Sequence, residues 1–226
     1  MNAKFYDFPD PLYAPAFAPL ASGGDLSEDC LLSAYSAGIF PWFSEDEPIL
    51  WWSPDPRAVL DPREVRVQKS IKPYLKRYEI KFDADFRGFI NLCKSVRERE
   101  KQGTWISEQI AEAYSRLADA GIAHSVEAYE DGELAGGLYG LIFGRVFCGE
   151  SMLSLKSNAS KVALIRLCEV LAKFHFLIDC QIMNDHLKFM GAKEMAREEF
   201  LALFADLSAQ DSGFERFADL KIPRGV

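Results

Sequence analysis

At 226 residues the chain has room for one large domain or for a small unit joined to a medium one, and 49% apolar residues suffice for a real core. No apolar run approaches the ~18 residues of a membrane span, and the opening MNAKFYDFPDP lacks a signal-peptide core, so the expected location is cytoplasmic, away from membranes. A formal charge of -8 speaks at first against a nucleic-acid partner, which needs clustered Lys and Arg. The distribution reverses this: eight basic residues against three acidic ones between Arg57 and Lys81 give +5 locally and leave -13 on the remainder. Cys30, Cys93, Cys148, Cys168 and Cys180 are scattered, with no CxxC pair and no histidine at ligand spacing. Free thiols and no metal site are expected.

In chain order, a first helix is predicted over Leu26–Ala37, capped by Ser27, with Glu28 and Asp29 at its positive end, a staple of Leu26 and Leu31, and Gly38 as its stop. Gly38 to Arg57, GIFPWFSEDEPILWWSPDPR, holds three of the four tryptophans and four prolines. Prolines exclude a continuous helix, so this reads as a rigid aromatic loop with short strands. It closes a small N-terminal domain, 1–62, ahead of a larger one, 63–226. There VRVQ reads as a strand, Ser70 as the cap of a basic helix with Pro73 in its first turn, and YEIKF as a strand. Phe86, Phe89, Ile90, Cys93 and Val96 mark one helix face; a second helix runs from Ser107 to Gly121 with Ile110, Tyr114 and Leu117 inward.

AHSVEAYE and ELAGGLYGLIFG flank Asp131-Gly132, a hairpin signal, and RVFCGESM continues the meander. Gly136, Gly137 and Gly140 point to a bulge or a close approach. Val162–Phe174 follows as a helix with one narrow polar stripe of Arg166, Glu169 and Lys173. FLIDCQI is a buried strand, and Asn184 caps a helix that Gly191 ends.

The texts YSAGIFPWF and PILWWSPDPRAVL, then GTWIS (103–107), HSVE (124–127), FCGESMLS (147–154), NASK (158–161) and LIDCQIMNDH (177–186), resemble the leucyl/phenylalanyl-tRNA-protein transferases in the same order. These enzymes move an amino acid from charged tRNA onto a protein's N-terminus. The resemblance spans roughly 23–200. The meander, buried helix, strand and helix also resemble the GNAT-like acyltransferase fold. The expected class is therefore α+β, with a mostly antiparallel mixed sheet and substrate bound where central strands splay.

Aminoacyl-tRNA is already an activated ester, so such an enzyme needs positioning, proton removal and oxyanion stabilisation, with no covalent intermediate. No cofactor is expected. Asp179 and Gln181 lie two apart on a strand and share a face; the resemblance implies that they face the acceptor amine and the scissile ester, with Asn184 as helper. It places Glu150 against the amine of an acceptor that begins with Arg or Lys. Phe147, Ile178, Leu138 and Leu167 match the donor pocket for Leu or Phe, with Met as a further donor. Leu138 stands where Met is expected and Leu167 where Phe is, which predicts a roomier pocket that still takes Phe. Trp42 and Trp105 match aromatic residues that contact the terminal adenosine or line the entrance, and stacking of a base is worth ~1–3 kcal/mol, while Trp51 and Trp52 read as loop pins.

Lys69, Lys72, Lys76 and Arg77 are implied to hold acceptor-stem phosphates, with Pro73 replacing one basic residue. His124, His175 and His186 read as ordinary hydrogen-bonding groups. The product is an N-degron, and a monomer is the default. Two rivals differ in class. A CoA-dependent N-acyltransferase needs a [QR]xxGx[GA] loop, of which KFMGAK at Lys188 lacks both ends. A nonenzymatic tRNA-binding module leaves Asp179, Gln181 and Glu150 unused.

Overall fold

The computed structural model describes residues 6–99 and 106–223. The Ser27 hydroxyl accepts from the Cys30 amide at 3.3 Å, and helix α1 (Glu28–Ser36) ends before Gly38, whose φ of +71° favours glycine. Leu26 and Leu31 are both buried. The flanking segments form a small antiparallel sheet of β1 (Ala21–Ser22), β2 (Phe40–Pro41) and β3 (Leu50–Trp52), in the order β1-β3-β2. Trp51 is buried, donating from Nε1 to the Gly23 carbonyl at 2.8 Å with the Phe8 ring edge-on. Trp52 donates to the Trp42 carbonyl at 2.6 Å. Both are the expected pins; Trp42 itself stays 45% exposed.

The strand β4 (Arg57–Leu60) precedes the expected boundary at Pro62 but hydrogen-bonds in the larger sheet. Two expectations fail next. VRVQ forms no strand: the Arg66 amide donates to the Met190 carbonyl, and Val65 and Val67 pack into the core. The basic stretch is a short 3-10 helix, Lys72–Lys76, entered from Ile71 without a side-chain cap, so Ser70 does not start it.

From β5 (Glu79–Phe82) to the helix that follows Asn184, the order of elements agrees closely with the sequence reading. Helices α2 (Phe86–Arg99) and α3 (Glu108–Asp119, capped by Ser107) follow, then β6 (Ala123–Glu130) and β7 (Glu133–Phe143), joined by Asp131 and Gly132 with φ of 53° and 81°. That is the conformation a two-residue hairpin turn needs. Next come β8 (Val146–Ser154), α4 (Ala159–Leu171, extended by a 3-10 turn to Phe174), β9 (Leu177–Gln181) and α5 (Asp185–Met190). The pattern did not show the strand β10 (Lys193–Met195) or the helix α6 (Arg197–Ser208).

The seven-stranded sheet runs β10-β4-β9-β8-β7-β6-β5, antiparallel except at β8–β9, whose connection is α4. It is mixed and mostly antiparallel, as expected. Alternation along β7 sends Tyr139 and Leu141 into a core shared with α1, α2, α3 and α6, and Leu138 into the core under α4. The sheet is therefore buried on both faces. Arg197 fastens α6 to the N-terminal segment by donating to the Ser53 carbonyl at 2.7 Å and the Leu12 carbonyl at 3.2 Å. Among the described residues, no helix is long and apolar enough to cross a membrane.

Candidate active site

The parallel pairing of β8 and β9 ends at Cys148↔Asp179. Beyond it each strand follows its other neighbour, and a cavity of about 540 Å³ opens in the fork. Leu138, Phe147 and Ile178 form part of its wall, with Leu164 of α4; Trp42 stands at the wall from the small sheet. Leu167 is not on the wall: it is buried in the core one turn beyond Leu164. All three glycines of β7 lie at the predicted close approaches, and Gly140 is the one against Phe147 of the cavity wall: a Cβ there would lie 2.3 Å from the Cys148 carbonyl and 2.6 Å from the Phe147 ring. Its bare Cα lets that ring lie on the strand.

Both strands of the fork carry a bulge at the site. Tyr139 pairs with Ser151 and Gly140 with Gly149, which leaves Glu150 as the extra residue of β8. Val59 pairs with Asp179 and Ala58 with Gln181, which leaves Cys180 extra in β9. Bulges re-aim side chains. The glycines of β7 signalled the first of these; nothing in the local sequence signalled the second.

Glu150 is the hub. Tyr35 of α1 donates to its Oε1 at 2.6 Å, Gln181 donates from Nε2 to the same oxygen at 2.9 Å, and Tyr114 of α3 approaches Oε2 at 3.4 Å. The two tyrosine hydroxyls lie 2.6 Å apart. Burial pushes the Glu150 carboxyl up to about 8, reinforced by the Asp179 charge and opposed by the hydrogen bonds from Tyr35 and Tyr114. Burial likewise pushes both tyrosines and the Cys148 and Cys180 thiols upward, so the cysteines stay protonated at neutral pH. Tyr114 was visible only as an inward helix position, and Tyr35 only as a letter in a motif. A buried phenol needs a partner, which sequence cannot name.

Asp179 does not share the cavity face with Gln181. Only 1% exposed, it takes a two-pronged ion pair from Arg57 of β4, Nε to Oδ1 at 2.8 Å and a terminal nitrogen to Oδ2 at 2.7 Å. The bulge at Cys180 and the left-handed Gln181 (φ 63°) break the strand alternation on which the shared face rested. Asp179 Oδ1 accepts the Gln181 amide at 3.0 Å, holding that backbone so that the carboxamide reaches Glu150. The Arg57 guanidinium lies over the Phe40 and Phe200 rings, 4.8 and 4.5 Å from their centroids. Sequence reading missed Arg57 as a site residue and counted it in the basic run.

Asn184 lines the cavity, but its Oδ1 is engaged as the cap of α5, accepting from the Leu187 amide at 2.9 Å. His186 is also on the wall; burial and then the Lys161 charge hold its imidazole below the usual range. His124 hydrogen-bonds Asp83 at 2.8 Å, and neither it nor His175 lines the cavity. Trp105 lies outside the described residues. Lys69, Lys72, Lys76 and Arg77 are exposed, and Arg77 is paired with Glu130. Among the described residues the three lysines make no ion pair, and no group of three His, Cys, Asp or Glu could hold a metal.

The model of the family described as leucyl/phenylalanyl-tRNA protein transferase matches residues 59–205, and that of its N-terminal domain matches 24–55. The chain belongs to this family. A leucyl/phenylalanyl-tRNA--protein transferase of Campylobacter lari is 51% identical over 92% of this chain and 95% of its own. One from Desulfatibacillum aliphaticivorans is 51% identical over 86% of this chain and 84% of its own, and one from Campylobacter jejuni 46% identical over 92% and 94%. The chain is accordingly a transferase, consistent with the activated ester and protein acceptor inferred from its motifs. Arg57 falls between the two matched segments of the family.

Proposed function

We propose that the chain transfers Leu or Phe from the 3′ end of a charged tRNA to the N-terminal Arg or Lys of an acceptor protein. The observation that carries this reading is the meeting, in one strand fork, of an apolar cavity with the Glu150–Gln181 pair. Leu138, Phe147, Ile178 and Leu164 suit an apolar donor side chain, whose burial contributes roughly 1.5–3 kcal/mol. A polar side chain would lose its water partners there. Trp42 offers an exposed ring for the terminal adenine. The fork supports reading the expected larger domain, 63–226 together with β4, as a GNAT-like acyltransferase unit.

The acceptor amine, with a pKa of ~7.7–8.0, must lose a proton before it attacks. Glu150, held near the same value, is matched to exchange that proton at little cost. An arriving ammonium itself favours the carboxylate form. The amine nitrogen then bonds to the ester carbonyl carbon and the bond from that carbon to the ribose oxygen breaks; of the two protons the ammonium sheds in becoming an amide, one passes to the ribose oxygen and the other leaves through Glu150 to water. Gln181 holds Glu150 in place, while Asp179 acts through the Gln181 backbone. The product is an N-degron made in the cytoplasm by a monomer.

The test is transfer of labelled Phe or Leu from charged tRNA to a peptide beginning with Arg, beside one beginning with Ala, without ATP or CoA. Transfer to the Arg peptide alone is expected. Tight tRNA binding with no transfer to either peptide would overturn the reading.

A further inference from the structure

The reaction as proposed leaves one piece of ground beside the cavity unused. On α5, His186 and Leu187 line the wall, and two residues on, Phe189 is 40% exposed. In the first turn of α4, Ser160 lines the wall and the next residue, Lys161, places Nζ 5.1 Å from the centroid of the Phe189 ring. That Nζ also donates to Asn158 Oδ1 at 3.3 Å and makes no ion pair among the described residues.

The basic stretch is stitched to the same two elements. The Arg66 amide donates to the Met190 carbonyl at the end of α5, and the Tyr78 hydroxyl donates to the Ser157 carbonyl just before α4, both at 2.8 Å. Lys161 and Phe189 thus stand on the two elements that line the cavity and are hydrogen-bonded by Arg66 and Tyr78, the residues that bracket Lys69, Lys72 and Lys76 in the chain. These elements join the basic stretch to the cavity, which makes them a route for a tRNA 3′ end whose stem rests on the lysines and whose last adenosine reaches Trp42. An exposed ring beside an ammonium is the chemistry that holds single-stranded nucleic acid, a base on the π-face and a phosphate on the cation.

Resting on the function proposed above, we infer that Phe189 and Lys161 form a subsite for the unpaired cytidines preceding the terminal adenosine. The ring stacks a cytosine and the ammonium pairs with a phosphate.

The test compares Phe189→Ser and Lys161→Gln with the parent on two donors, phenylalanyl-tRNA and phenylalanyl-adenosine, after checking that each variant melts like the parent. With phenylalanyl-tRNA, Phe189→Ser should raise KM on the order of tenfold at unchanged kcat. Lys161→Gln should lower the salt slope of tRNA binding by about 1. With phenylalanyl-adenosine both variants should match the parent. Equal losses on both donors, no loss on either, or a raised KM for the acceptor peptide alone would overturn the subsite, the last assigning the patch to the acceptor protein. Binding of uncharged tRNA, against the same tRNA trimmed of its unpaired 3′ nucleotides, reads the subsite without chemistry. Variants that weaken only the intact tRNA while the parent transfers nothing would uphold the subsite and sink the catalytic reading.

Discussion

Arg57 is shut between two rings with its charge answered by one carboxylate, so truncating it strands Asp179 as a buried anion. Arg57→Met should cost about 3–5 kcal/mol in urea unfolding, and Arg57→Met with Asp179→Leu should restore most of it, since an apolar pair leaves no charge to solvate. Glu150 makes the opposite kind of prediction. Its folded-state value is near 8 against 4.5 for an ordinary glutamate, so between those values the folded protein keeps a proton that the unfolded chain has released. Glu150 therefore makes stability fall as pH rises through that window, with no such loss below 4.5. Glu150→Gln should gain stability relative to the parent as pH rises towards 8, while losing most of the transfer rate; an equal difference at both ends of the window would refute the shift. Asp179 was legible in sequence because a carboxylate inside an apolar strand demands a partner. Arg57 was not, because that partner lies 122 residues away.

Elements with a local signature were read correctly: the Ser27 and Asn184 caps, the helix that begins at Ser107, the Asp131-Gly132 hairpin, and the narrow polar stripe of α4. VRVQ misled because alternation says that a segment can pair, not that an edge is free to receive it. The strand beside β4 on its open side is β10, three residues whose pattern is too short to show a period. The helix α6 escaped notice because Ala196 offers no capping side chain. The well-read α5 carries His186 and Leu187 to the cavity wall, so its cap bears on the site. Asn184→Ala should cost about 1 kcal/mol, seen as a lowered melting temperature, and should raise KM for charged tRNA more than it lowers kcat. The reverse pattern would place Asn184 in the chemistry itself.

For the whole molecule, an acidic total with a basic segment is an arrangement in which charge directs a polyanion to one face. Arg57 is buried and Arg77 is engaged with Glu130, so Lys69, Lys72 and Lys76 carry most of what remains there. Replacing all three with Gln should flatten the slope of log affinity for tRNA against log salt by about 2–3. An unchanged slope would move the stem to another face. The placement of β4 in the large sheet also has a meaning in time. On the ribosome, Arg57 emerges 122 residues before Asp179. At about 5–20 residues per second, roughly 6–24 s pass before the sheet can close around it. For that interval Arg57 has no carboxylate to answer it, and the arrival of β9 is what supplies one.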